Sequence, residues 1–196
     1  MKKLPIFFAL ALVVAAAPTL FAQTNWKFDK SHTSIGFSVT HLLITDVEGR
    51  FKSFDGSIAT KGDDFEHASV EFWADIASID TDNEKRDSHL KSDDFFNAEK
   101  YPKMTFKGKS MKKSGKNTYK LTGDLTIRDV TKTVVLDVVH KGTTKDPWGN
   151  TKAGFRISGE VNRFDYNLKW NTLTEAGGAV VGKTVTLVIN MQLVKS

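Results

Sequence analysis

Apolar and polar side chains alternate along most of this chain. Ile35, Phe37 and Val39 are interleaved with Ser34, Ser38 and Thr40, the period-2 signature of a strand with two unlike faces. The pattern recurs across residues 69–76, and Val134, Leu136 and Val138 form one face of a further run. It recurs again in Leu121, Gly123, Leu125 and Ile127 against Thr122, Asp124, Thr126 and Arg128. Phe155, Ile157, Gly159 and Val161 alternate with Arg156, Ser158, Glu160 and Asn162. The most regular run is the last, where Val185, Leu187, Ile189, Met191 and Leu193 oppose Thr184, Thr186, Asn190 and Gln192. Turn chemistry separates the runs at Lys61-Gly62-Asp63-Asp64, Lys113-Ser114-Gly115-Lys116-Asn117 and Asp146-Pro147-Trp148-Gly149-Asn150. About eight strands with short connections follow, which predicts an all-β antiparallel barrel or sandwich.

Between residues 80 and 103 the alternation stops and helix signals appear. Thr81 stands three residues before Glu84 in capping-box spacing, Asp82 adds negative charge near the helix start, and Tyr101-Pro102 ends the segment. A helical crossover over about 81–101 is predicted, and so long a link in a compact β domain usually covers something or does something. Residues 171–182, with Gly177-Gly178, read as a second cover or lip.

The first residues change the picture of where the chain works. Lys2 and Lys3 precede an almost wholly apolar run over residues 4–20, and Leu20-Phe21-Ala22 places a small residue before a cut. Residues 1–22 read as a secretory signal peptide, leaving residues 23–196 as one exported domain. An uncleaved anchor is the alternative reading. The chain has no cysteine, which removes disulfides, thiol chemistry, cysteine metal sites and lipoprotein attachment. Without Lys2 and Lys3 the formal net charge falls from +5 to +3, too small and too evenly spread to indicate nucleic acid. The lysines of residues 107–120 read as the solvated face of a hairpin.

Candidate chemistry is sparse. His32 and His41 are an odd number of residues apart, so on one unbroken strand they point to opposite faces. Sharing a metal would need a bulge, and no third ligand stands at fixed spacing. Ser110 and Lys113 match a Ser-x-x-Lys pattern without supporting motif, there is no Gly-x-Ser-x-Gly elbow, and adjacent Asp93 and Asp94 read as a helix start. Arg86 shares a helical face with His89 and Leu90 and could hold a polar head group over a barrel mouth, or form a surface ion pair. Aromatic residues concentrate on strands and crossover. Eight strands is the size at which a barrel either fills itself or holds one small ligand.

Taken in order, Asp29-x-x-His32-Thr33-x-Ile35-x-Phe37-x-Val39-x-His41, Val47-x-Gly49-x-Phe51 and Arg86-Asp87-x-His89-Leu90 resemble the YceI-like family. So do Phe95-Phe96, Tyr101-Pro102-x-Met104-x-Phe106, Gly123-x-Leu125-Thr126-Ile127, Thr131 and Asn162-Arg163-x-Asp165-Tyr166 with Trp170. The chain departs from the family pattern at Arg128-Asp129, where a glycine is common, and at Tyr166-Asn167, where many relatives carry Phe-Gly. The resemblance implies an exported, periplasmic protein with an extended, lipocalin-like, eight-stranded antiparallel barrel. It also implies a polyisoprenoid, such as an isoprenoid quinone, or another long amphiphile bound in the interior, with no other cofactor and no catalysis.

On that reading Phe37, Val39, Phe72, Phe106, Leu125, Ile127, Leu136, Phe155, Ile157, Leu187 and Ile189 line the channel. His41, Arg86 and Trp170 are the candidates near a mouth. Transient membrane contact accompanies loading, and an exposed apolar strand face leaves room for a homodimer. Two other readings stand beside it. One is an enzyme acting on such a lipid through a metal held by His32, His41 or His89. The other is a non-binding partner protein whose barrel is filled by its own side chains.

Overall fold

The computed structural model describes residues 23–62 and 64–196. The signal-peptide reading of residues 1–22 lies outside them. The strands are β1 (Gln23–Phe28), β2 (Ser34–His41), β3 (Thr45–Phe51), β4 (Phe54–Lys61), β5 (Asp64–Asp75) and the short β6 (Ile79–Asp80). After helix α1 (Glu84–Lys91) come β7 (Lys103–Gly115), β8 (Thr118–Ile127), β9 (Val130–Lys145), β10 (Thr151–Asn162) and β11 (Val181–Lys195). Each pairing is antiparallel, and the order β1-β4-β5-β7-β8-β9-β10-β11 closes on itself through β1 and β11. The result is a closed eight-stranded barrel with, among the described residues, one short α-helix.

Three further strands extend the barrel at one end. β2 runs on from β1 along the same neighbour: Phe28 pairs with Leu193, and Ser34 with Asn190. The break between them is the turn at Lys30–His32, where Asp29 N–H donates to Gln192 O at 2.9 Å and Gln192 N–H donates to Thr33 Oγ1 at 3.2 Å. β3 pairs with β2 as β4 pairs with β1, and β6 continues β5 beside β3. The chain is therefore an up-and-down meander whose first strands are each interrupted once.

Burial follows the alternation where it is regular. In β8, Tyr119, Leu121, Gly123, Leu125 and Ile127 face inward between partly or fully solvated neighbours. The lysines of the β7–β8 hairpin face outward and pair across strands, Lys109 with Asp124 at 2.6 Å and Lys113 with Asp64 at 2.8 Å.

The crossover is less helical than its sequence suggests. The helix spans only Glu84–Lys91, and its N-cap is Asn83, whose Oδ1 accepts the Arg86 N–H at 3.0 Å. Thr81 is not the cap because its hydroxyl is already engaged. It donates to Asp87 Oδ1 at 2.6 Å and sits 2.8 Å from Arg86 Nε, in a buried position that ties the helix to β6. Asp93 and Asp94 follow the helix instead of starting one, Asp93 pairing with Arg128 and Asp94 with His89.

Both departures from the family pattern sit at left-handed backbone. Arg128 has φ 56° and Asn167 φ 61°, a region that asparagine tolerates and arginine does not favour. Arg128 is held there by its guanidinium, which donates to the carbonyls of Asp93, Phe95 and Asn167 at 3.0, 2.8 and 3.2 Å.

Candidate functional site

The inward faces enclose an elongated apolar cavity of about 180 Å³. Phe37 and Val39 from β2, Phe72 from β5, Phe106 from β7, Leu125 and Ile127 from β8 and Leu136 from β9 all line it. So do Phe155 and Ile157 from β10 and Leu187 and Ile189 from β11. Alternation explains this, since on a closed sheet one face of each strand has nowhere else to point. Lining residues that alternation alone does not single out are Leu90, Phe95 and Phe96 of the crossover, Met104, Met111, Arg163 and Tyr166.

The two ends differ. At the β1 end an aromatic cluster forms a floor: Trp26 lies 5.1 Å from Phe65, Phe65 4.7 Å from Phe155, and His140 stacks on Phe155 at 4.9 Å. Trp26 is buried, and its Nε1–H donates to Thr60 Oγ1 at 3.1 Å. Burial pushes the His140 imidazole below its ordinary 6.5, which favours the neutral ring. At the other end lie the β2–β3 hairpin, the crossover and the long β10–β11 connection. Here Leu42, Leu43 and Ile44 form an exposed apolar tip, and Leu173 is exposed on the neighbouring loop. The tip rests on that loop through Leu42 N–H, which donates to Val180 O at 2.9 Å.

The polar candidates do not line the cavity. Arg86 is turned onto Thr81, with Nη2 2.7 Å from the Thr81 carbonyl, so the helix N-terminus consumes it. His41 ends β2 opposite Val181. Trp170 is partly buried and packs against the crossover, 5.5 Å from Phe95 and 5.3 Å from His89. His32 is on the turn before β2, 3.1 Å from Asp29, so the opposite-face argument does not apply to it. Among the described residues no three His, Cys, Asp or Glu side chains are grouped to hold a metal.

Sequence reading named Arg163 and Tyr166 only as parts of a motif. They occupy the first and last positions of the 3-10 turn Arg163–Tyr166 that leaves β10, and residues i and i+3 of such a turn lie on one side. Arg163 is 3% exposed, and among the described residues no carboxylate pairs with it. It donates to the carbonyls of Gly182, Leu168, Trp170 and Val181 at 2.8, 2.7, 2.7 and 3.1 Å, pinning the connection to β11. Tyr166 is 1% exposed, and burial pushes its hydroxyl up to about 12.

An extended antiparallel barrel around an apolar channel, with a short helix in the crossover at one end, is the class that fold and cavity define. The chain belongs to the YceI-like domain family, which its sequence matches over residues 26–193. It is 42% identical over 159 residues to the UPF0312 protein plu2095 of Photorhabdus laumondii, covering 81% of this chain and 82% of that one. It resembles the crystal structure of the Campylobacter jejuni YCEI protein at 36% identity and TM-score 0.71, covering 86% and 96% of the two chains. A polyisoprenoid binding domain from Saccharophagus degradans has the same fold, with TM-score 0.63, 16% identity, and coverage of 87% and 98%.

Proposed function

We propose that this protein binds a long amphiphile, a polyisoprenoid such as an isoprenoid quinone, and sequesters or shuttles it across the periplasm. The observation that carries the reading is the channel, lined from every described strand but β6 by hydrocarbon and aromatic rings. The polyisoprenoid binding domain of the same fold supports the ligand class. An apolar cavity of about 150 Å³ takes up a benzene, so the space here already holds a section of chain. A longer chain is accommodated by Met104, Met111 and Met191, unbranched side chains that repack at little cost.

The energetics suit a carrier. Burying hydrocarbon gains about 0.8 kcal/mol per CH₂ over water, whereas against a bilayer the gain nearly vanishes because lipid tails are equally apolar. Loading from one membrane and release to another then proceed with small free-energy differences. The exposed tip Leu42-Leu43-Ile44 supplies a surface for transient membrane contact beside the mouth. Binding and release of this kind make and break no covalent bond, so the protein acts as a binder and not as an enzyme.

The test is organic extraction of the natively purified protein followed by mass spectrometry, with titration of an added prenyl lipid. A co-purified amphiphile or saturable binding is expected. Absence of both sinks the proposal.

A further inference from the structure

Folding gathers at the floor end lysines that are spread along the sequence. The β7–β8 and β9–β10 turns stand side by side there, since His140 N–H donates to Asn117 O at 2.8 Å and Thr118 pairs with Val139. Lys112 and Lys116 at the first turn and Lys141 and Lys145 at the second are exposed, and none has an ion pair among the described residues. The described acidic side chains at this end are already engaged. Asp64 and Glu66 pair with Lys113, Asp137 pairs with Lys120, and Asp146 accepts the N–H groups of Trp148 and Asn150 at 3.0 and 2.8 Å. The crossover at the opposite end has no such surplus, with seven acidic and five basic residues over 80–103.

Trp148 projects from the same end and is 84% exposed. The Asp146 carboxylate ties the turn together around it, so the indole is held out by an ordered loop while nothing in the chain buries it. The barrel also begins here, with Gln23 of β1 paired to Lys61, so the apolar run over residues 4–20 joins the fold at this end.

We propose that the floor end is a docking face for an anionic phospholipid surface, with Trp148 entering the headgroup layer and Lys112, Lys116, Lys141 and Lys145 facing its charge. An indole, apolar in body and polar at its N–H, favours the membrane–water interface. A lysine near an anionic leaflet adds attraction that fades within a Debye length. A protruding turn forms no groove for a partner's side chains, so a bilayer fits this surface better than a protein does. Docked in this way, the barrel turns its mouth away from the surface that holds it. The end that attaches is then separate from the end that exchanges ligand, and attachment does not depend on what fills the channel.

The experiment compares the wild-type chain, a Lys116→Ser, Lys145→Ser double variant and Trp148→Ser by sedimentation with phosphatidylcholine vesicles, with and without phosphatidylglycerol. Phosphatidylglycerol is expected to strengthen wild-type binding, and added salt to reverse the gain. On the anionic vesicles the double variant should lose about fivefold for each lysine removed, and Trp148→Ser about tenfold. The double variant should match the wild type on pure phosphatidylcholine, and all three chains should melt alike, since each site is exposed. Wild-type tryptophan emission should shift to the blue on the anionic vesicles, and Trp148→Ser should remove the shift. No gain from phosphatidylglycerol, or equal binding by all three chains, overturns the proposal. So does a loss in the double variant with Trp148→Ser unchanged, which marks a site for an acidic protein or soluble polyanion instead of a bilayer.

Discussion

Lys152 Nζ lies 2.8 Å from Asp29 Oδ2, joining residues 123 positions apart in the chain. The pair sits at the fork where β11 leaves β2 and takes up β1, and Ser31 and Gln192 donate to the same carboxylate at 2.6 and 2.9 Å. These donors, Lys152 first, hold the Asp29 carboxyl well below its ordinary 3.8 against the opposing effect of burial. Asp29→Asn is expected to lower stability by about 2 kcal/mol, the scale of a charge-assisted hydrogen bond, measured by urea unfolding at neutral pH. Because the folded-state pKa is depressed, this contribution is complete above the unfolded value and is lost as pH falls below it. The gap between wild type and variant should therefore close progressively below pH 3.8. A gap independent of pH in that range would assign the role to packing.

The fork also shows where sequence and structure part. The alternation of β8 and β11 and the turn residues at 113–117 and 146–150 were legible because both faces of those strands have a fixed fate, channel or water. The break at Lys30–His32 was not, since β1 and β2 lie along one neighbour and keep the pattern across the interruption. The helix cap moved from Thr81 to Asn83 because a tertiary bond to Asp87 outcompetes local capping. The apolar lining was legible for the same reason as the strands. Arg163 was not, since its partners are backbone carbonyls between Leu168 and Gly182, and carbonyls carry no signature in the side-chain sequence.

His140 makes the floor sensitive to acid. Its ring stacks on Phe155 and lies 5.3 Å from Phe65, and burial lowers its pKa from 6.5. As pH falls below that value the unfolded chain takes up a proton that the folded chain resists, so stability falls. His140→Phe keeps an aromatic ring in the stack and is expected to flatten the slope of stability between about pH 5 and 6.5. Thermal melts of both chains across that range decide the point, and identical slopes would remove His140 from the account.

Gly159 lies on the inward-alternating positions of β10, and a Cβ built there would lie 2.6 Å from Cδ2 of the channel-lining Leu136. Gly159→Leu is expected to fill the space a ligand chain would occupy, at a cost of about 1–3 kcal/mol in overpacking. The variant should remain folded by circular dichroism while losing most of its capacity for prenyl lipid. Undiminished uptake would place the ligand outside the barrel.

Leu42 and Leu43 both adopt left-handed backbone, with φ 52° and 63°, which costs a branched side chain about 1–2 kcal/mol per residue. The tip is also exposed, Leu43 by 69% and Ile44 by 84%, so neither conformation nor burial in the chain itself rewards leucine there. Contact with a bilayer would, since an inserted leucine or isoleucine recovers about 1.5–3 kcal/mol. Leu43→Gly removes the strain and the side chain together, so stability and membrane contact should move in opposite directions. The variant is expected to melt higher than the wild type and to bind phospholipid vesicles at least tenfold more weakly in a sedimentation assay. Leu43→Ser, which keeps the strained backbone, should lose vesicle binding without gaining stability. Vesicle binding unchanged in both variants would leave the hairpin tip no part in membrane contact and would move the docking surface elsewhere on the rim.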